Sequence, residues 1–230
     1  MEIRLHHEEY GRGEPLVLLH GNGEDLGYFQ HQIPAFAEHF RVIAVDTRGH
    51  GKSPRGTAPF SIRQFAEDLH DFLAEKNIPS AHILGFSDGG NIALCFALKY
   101  PQMVKSLVLN GANLNASGVK RSVQLPIEIG YRIASHFAKT RESALRKKEL
   151  LGLMVNDPNI PEEELSRLSV PVLVIAGTKD MIQESHTRRI AACIPGAKLL
   201  LIPGSHFIAA ENPEAYNTAV MDFLETKVTQ

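Results

Sequence analysis

The sequence predicts an α/β protein, a mostly parallel sheet with helices on both faces and a short helical insertion. Three observations carry this reading. Continuous apolar runs such as Pro15-Leu16-Val17-Leu18-Leu19-His20 are what strands covered on both faces look like. Helical patterns fall between these runs, and strand–helix alternation is the signature of parallel crossover units. The 230 residues suffice for one domain with a full core.

Taken in order, Ile3 to Glu8 is expected as an edge strand, with Tyr10-Gly11-Arg12-Gly13 as a turn. The runs 15–20 and 41–46 follow as buried strands, separated by a short helical pattern over residues 27–39 with Phe29, Ile33 and Phe36. Ser61-x-x-Gln64 has the form of a capping box opening a helix to about Lys76, with Phe65, Leu69, Phe72 and Leu73 on one face. A strand from Ala81, a helix ending near Tyr100 and a strand Val104–Leu109 come next. Alternation then stops: residues 112–168 are polar and helix-prone, without a strand-like run. It resumes with the strand Val170–Ala176, a helix Ser185–Ile194 and the strand Lys198–Ile202. Asn212-Pro213 opens a last helix as N-cap and first helical residue. The expected division is a core of residues 1–111 and 169–230 with a helical cap insertion at 112–168. Tyr131, Ile133, Phe137 and Leu153 are expected on the inward side of that insertion, and its charged residues on a solvated face.

Hydrophobic content of 43% and charged content of 22% are ordinary for a soluble protein. With a formal net charge of −2 and no outstanding basic run, neither nucleic acid nor an anionic membrane is expected as a partner. Met1 to His7 lacks an apolar signal core and no segment approaches transmembrane length, so a cytoplasmic protein is expected. Cys95 and Cys193 are expected as buried free thiols. The histidines lack metal-site spacing apart from the adjacent His6-His7, so no metal is expected, and the serine chemistry read below calls for no other cofactor.

Chemistry concentrates just past the strands, where open parallel sheets collect their ligands. Gly85-Phe86-Ser87-Asp88-Gly89 stands between a strand and a helix, the context of a nucleophile elbow. Serine hydroxyl needs an adjacent base, and the base needs a group to orient it and stabilise its cation. His206, in the short loop after the last strand, is the base candidate. Asp180, in the turn after the preceding strand, is the acid candidate, with Glu184 as the substitute. His186 is expected on a helix. Glu24, Asp25 and Asp88 place acids near the site's mouth, where they would favour a cationic substrate; the simpler expectation is solvated loop charge and, for Asp88, a complement to the helix dipole.

His20-Gly21, Asp46-Thr47-Arg48-Gly49-His50-Gly51-Lys52-Ser53 and the elbow, in the chain order Ser87, Asp180, His206, resemble the α/β-hydrolase superfamily. The likeness is to its small cap-bearing esterases and hydrolases and covers all but about residues 112–168. The Ser87-Asp88-Gly89-Gly90 elbow also looks like that of valacyclovir-hydrolase-like esterases. The resemblance implies Ser87 as nucleophile, Asp180 as acid, His206 as base, and the backbone N–H groups of Asn22 and Asp88 as oxyanion hole. Arg48, Gly49 and His50 are expected to hold a structural loop beneath the site. The implied activity is hydrolysis of a small carboxylic ester or related acyl substrate. Carbon–carbon bond hydrolysis and cofactor-free perhydrolysis use the same parts. A non-catalytic binding protein of this fold is disfavoured, since no triad member is missing, and haloalkane dehalogenation is disfavoured because the elbow carries serine, not aspartate.

Overall fold

The computed structural model describes residues 2–228. Seven strands form one sheet: β1 (His7–Tyr10), β2 (Pro15–Leu19), β3 (Arg41–Val45), β4 (Ala81–Phe86), β5 (Val104–Asn110), β6 (Val172–Gly177) and β7 (Lys198–Ile202). Their order is β1-β3-β2-β4-β5-β6-β7, antiparallel only at β1. Eight helices are described: α1 (Ile33–Phe36), α2 (Ile62–Glu75), α3 (Asp88–Lys99), α4 (Arg121–Phe137), α5 (Glu142–Asn156), α6 (Glu184–Cys193), α7 (Ile208–Glu211) and α8 (Pro213–Val228).

The apolar runs divide by alternation between two cores. Val17, Leu19, Ile83, Leu107 and Val174 meet α2, α3 and α6, while Leu16, Leu18, Leu84, Val108 and Ile175 meet α1 and α8. A strand must be apolar at every position when both faces are covered, which is why these runs show no polar alternation.

The first strand is displaced from the expected 3–8 to 7–10. Ile3 and Leu5 are buried against the core, but backbone pairing starts where β3 offers partners, His7 opposite Val45 and Tyr10 opposite Val42. The pattern at 27–39 splits into a 3-10 turn, Leu26–Phe29, and the short α1, whose first turn carries Pro34, a residue with no N–H to continue a helix from before it. Half the capping box forms. The Ser61 hydroxyl accepts from Gln64 N at 3.2 Å, while the Gln64 side chain turns to Asp68 at 3.1 Å.

Between β5 and β6 the chain builds α4 and α5, and only Val119 makes an isolated bridge, to Ile182. Leu153 is buried and Tyr131 half-buried, as expected, but Ile133 and Phe137 are 56% and 41% exposed. The inner face of α4 is made instead of Gln124, Gly130 and Ala134, and a Cβ on Gly130 would stand 3.1 Å from Leu151. Small residues let α4 approach α5 closely, which leaves the large ones facing away.

Candidate active site

The turn after β4 is forced by backbone contact. A Cβ on Gly85 would stand 2.2 Å from the Gly89 carbonyl oxygen, and one on Gly89 would stand 2.0 Å from that of Leu19. Between them Ser87 has φ 54° and ψ −119°, a left-handed conformation that costs a non-glycine residue of order 1–3 kcal/mol. Its N–H donates to Asn110 O at 2.8 Å, tying the elbow to the end of β5. Asp88 opens α3, so its N–H is among the first-turn donors that have no acceptor within the helix.

Asp180 and His206 arrive side by side because the ends of β6 and β7 are laced together. Thr178 N donates to Ile202 O and Lys179 N to Gly204 O, each at 2.9 Å. A Cβ on Gly177 would stand 1.9 Å from Ser205 O, so only glycine lets these loops pass. Asp180 Oδ1 accepts from Ile182 N at 2.8 Å and lies 2.7 Å from His206 Nδ1. His206 Nε2 in turn lies 2.9 Å from Ser87 Oγ. A carboxylate can only accept, so Nδ1 carries the ring proton and Nε2 presents a lone pair to the serine hydroxyl. Both His206 and Asp180 are buried.

The loop after β2 is set by a second histidine. His20 Nε2 accepts from Thr47 N at 3.0 Å, and Nδ1 donates to Gly21 O at 2.8 Å. Burial pushes the His20 pKa down, which keeps it neutral in that tautomer. Gly21 packs on Phe86, where a Cβ would stand 3.0 Å from the ring, and its N–H donates to Glu24 Oε2 at 3.3 Å. Since Gly89 presses on Leu19 and His20, the chain leading to Asn22 runs beside the start of α3. The Asn22 side chain reaches the insertion, donating to Leu150 O at 2.7 Å.

Asp88 is the strongly perturbed acid of the site. Burial pushes its pKa up to about 7, against hydrogen bonds from the Asn91 and Asn22 side chains that pull it down. Glu24 is also raised, first by burial. Asp25 caps the 3-10 turn through Gly27 N at 2.8 Å. Arg48 is fully buried away from the serine, with two bonds to Asp68 at 2.7 and 2.6 Å and one to Glu2. His50 stands against His20 with ring centroids 5.2 Å apart, and burial lowers its pKa to about 4. Glu184 is not brought to the site. It pairs with Arg188 on an exposed face of α6. His186 Nε2 accepts from Leu114 N at 3.0 Å. Cys95 is buried and Cys193 half-buried, both free thiols. Among the described residues no cluster of three His, Cys, Asp or Glu is placed to hold a metal ion, and no helix is long and apolar enough to cross a membrane.

Sequence reasoning missed two contributors. Gly111, at φ 63°, follows β5, and a Cβ there would stand 2.7 Å from His206 Cε1. A glycine just past a buried strand was the available signal. The Phe86 ring lies 4.8 Å from that of His206, and its x position within Gly-x-Ser-x-Gly gave no signal of that role.

A mostly parallel sheet with a strained serine turn, and a histidine and an acid at later strand ends, defines a hydrolase-type α/β enzyme. The profile of the alpha/beta hydrolase fold matches residues 14–150, and the chain belongs to that family. It is 27% identical to 3-oxoadipate enol-lactonase 2 of Acinetobacter baylyi, over 95% of this chain and 92% of that one. It is 26% identical to 2-hydroxy-6-oxo-6-(2'-aminophenyl)hexa-2,4-dienoic acid hydrolase of Metapseudomonas resinovorans, over 98% and 89%. Among solved structures, Est816, described as an N-acyl homoserine lactone degrading enzyme, superposes with a TM-score of 0.80 at 26% identity, over 96% of this chain and 97% of that one.

Proposed function

We propose that this enzyme is a serine hydrolase of small carboxylic esters or related acyl substrates. The observation that carries the reading is the continuous chain Ser87 Oγ, His206 Nε2, His206 Nδ1, Asp180 Oδ1, with links of 2.9 and 2.7 Å. Ser87 Oγ attacks the carbonyl carbon while its proton passes to His206 Nε2, and Asp180 stabilises the resulting imidazolium. The oxyanion rests on the N–H groups of Asn22 and Asp88, the latter favoured by the dipole of α3. The leaving alcohol takes the proton from His206, and an acyl-enzyme remains. Water then gives a proton to His206 and attacks the acyl carbon; the proton returns to Ser87 Oγ as the acid departs. No step calls on a cofactor. The substrate is a small molecule, and residues 112–168 act as a helical cap that shapes the acyl pocket.

Lactone names among the relatives support an ester carbonyl, and the dienoic acid hydrolase supports carbon–carbon cleavage as the second reading. Wild type should be labelled by a fluorophosphonate and should turn over p-nitrophenyl acetate. Ser87→Ala should lose labelling and about 10⁴-fold or more in turnover. Turnover surviving in Ser87→Ala would move the nucleophile elsewhere. Cleavage of a dienoate diketone without turnover of any ester or lactone would favour the second reading.

A further inference from the structure

The large apolar residues that α4 turns outward have an order of their own. Leu125, Ile129, Ile133 and Phe137 recur every four residues and are 43%, 49%, 56% and 41% exposed. That spacing lines one face of a helix about 25 Å long. The remaining exposed large apolar residues outside the insertion, Tyr10, Leu200 and Phe207, are scattered and form no second stripe among the described residues.

Charge is distributed as unevenly as apolar surface. From Lys120 to Asn156 the chain carries eight Lys and Arg against three Asp and Glu, a formal +5. The rest carries sixteen against twenty-three, a formal −7. The whole-chain value of −2 conceals this polarity. Arg132 is exposed on α4 itself, Lys139 is exposed just beyond it, and the Arg141 guanidinium lies 5.4 Å over the Phe137 ring. A helix with an apolar stripe and basic flanks is the form that lies in a membrane interface.

We propose that the α4–α5 insertion docks on an anionic lipid surface, its stripe entering the headgroup region and its basic residues meeting lipid phosphates. A second copy fits less well. Face-to-face pairing sets +5 against +5, and cap-to-body pairing leaves the stripe against charged surface without an apolar counterpart. A single convex helix offers no groove for a peptide, whereas a bilayer accepts a convex apolar ridge. This docking does not depend on the chemistry at Ser87.

Vesicle flotation tests it with three proteins. At low salt the wild type should float with vesicles of phosphatidylcholine containing about 30% phosphatidylserine and stay behind with phosphatidylcholine alone. Ile129→Ser/Ile133→Ser and Arg132→Glu/Lys139→Glu should each partition at least ~10-fold more weakly, and physiological salt should weaken the wild type. Leu200→Ser, on the acidic body, should bind like wild type. If the serine pair melts early, the charge pair, which alters two exposed side chains, carries the test alone. A wild type that ignores the anionic vesicles, or variants that bind them equally well, would overturn the proposal. So would sedimentation velocity showing self-association without vesicles that either pair abolishes, since the face would then belong to a second copy.

Discussion

At the ends of β4 and β6 the chain is held backbone against backbone, with hypothetical Cβ atoms at Gly85, Gly89 and Gly177 falling 1.9–2.2 Å from carbonyl oxygens. In the α4–α5 insertion contact is between side chains: a Cβ on Gly152 would stand an ordinary 3.4 Å from Tyr131, and the tighter 3.1 Å at Gly130 is to a methyl of the Leu151 side chain, which can give way. The first region tolerates no added atom because main chain cannot step aside. The second has room to vary. Chemistry needs the first kind of construction, because a nucleophile and its base must be fixed to fractions of an ångström. In the readings proposed above, choice of substrate and of surface falls to the second.

The sharpest way to break this contrast is one methyl group in each region. Gly89→Ala drives a Cβ into the Leu19 carbonyl, so either strand or helix must shift. The expected cost is ~3 kcal/mol or more, a fall of roughly 10 °C in Tm for a chain of this length, with loss of hydrolysis. Gly152→Ala lies within α5, where alanine is the better helix former, and should leave Tm unchanged or raise stability by up to about 1 kcal/mol. Thermal melts of the two variants decide the matter. A Gly89→Ala protein that melts with wild type would show that the elbow can relax, contrary to the geometry.

The same contrast explains what could be read from the sequence. Gly85, Ser87 and Gly89 are legible because a tight strand–helix turn restricts residue type at each position. Asp180 and His206 are legible because buried strands end in short loops that bring both to one edge of the sheet. The orientation of α4 was not legible. Ile133 and Phe137 are the kind of residue a core takes, and the fact that Gln124, Gly130 and Ala134 face α5 depends on close helix approach, which periodicity does not encode. The bond from Asn22 to Leu150 spans 128 residues and had no local signal at all. The segment 3–8 could be read as an edge strand, but not where β3 would pair with it.

A smaller effect is expected from Asp88, which belongs to the fixed region yet titrates. Its folded pKa is raised to about 7 by burial, while in an unfolded chain an aspartate ionises near 4. The folded state therefore binds more protons than the unfolded one between these values, and this contribution to stability falls as pH rises across that window. Asp88→Asn abolishes the titration and keeps an acceptor for Asn91. The variant should match wild type near pH 4 and exceed it above pH 7 by a few kcal/mol at most. Denaturant midpoints from pH 4 to 8 test this; parallel curves for the two proteins would mean that Asp88 stays ionised in the fold.

The smallest expected effect lies where the two regions meet. Asn22 belongs to the strand-end loop by its backbone, while its side chain holds the carbonyl of Leu150 in α5 at 2.7 Å. Asn22→Ala keeps the backbone N–H and removes the tether. A net hydrogen bond of ~1 kcal/mol sets the scale, so the fall in kcat on p-nitrophenyl acetate should be about fivefold, with little change in Tm. Asn22→Asp keeps the length of the side chain but removes the donor, and should resemble alanine rather than wild type. A drop confined to KM would mean that the tether shapes substrate entry instead of holding the loop that carries Asn22. Unchanged kcat and KM in both variants would show that the loop is fixed from below, by His20 and Phe86, and that the insertion can move without disturbing the reacting groups.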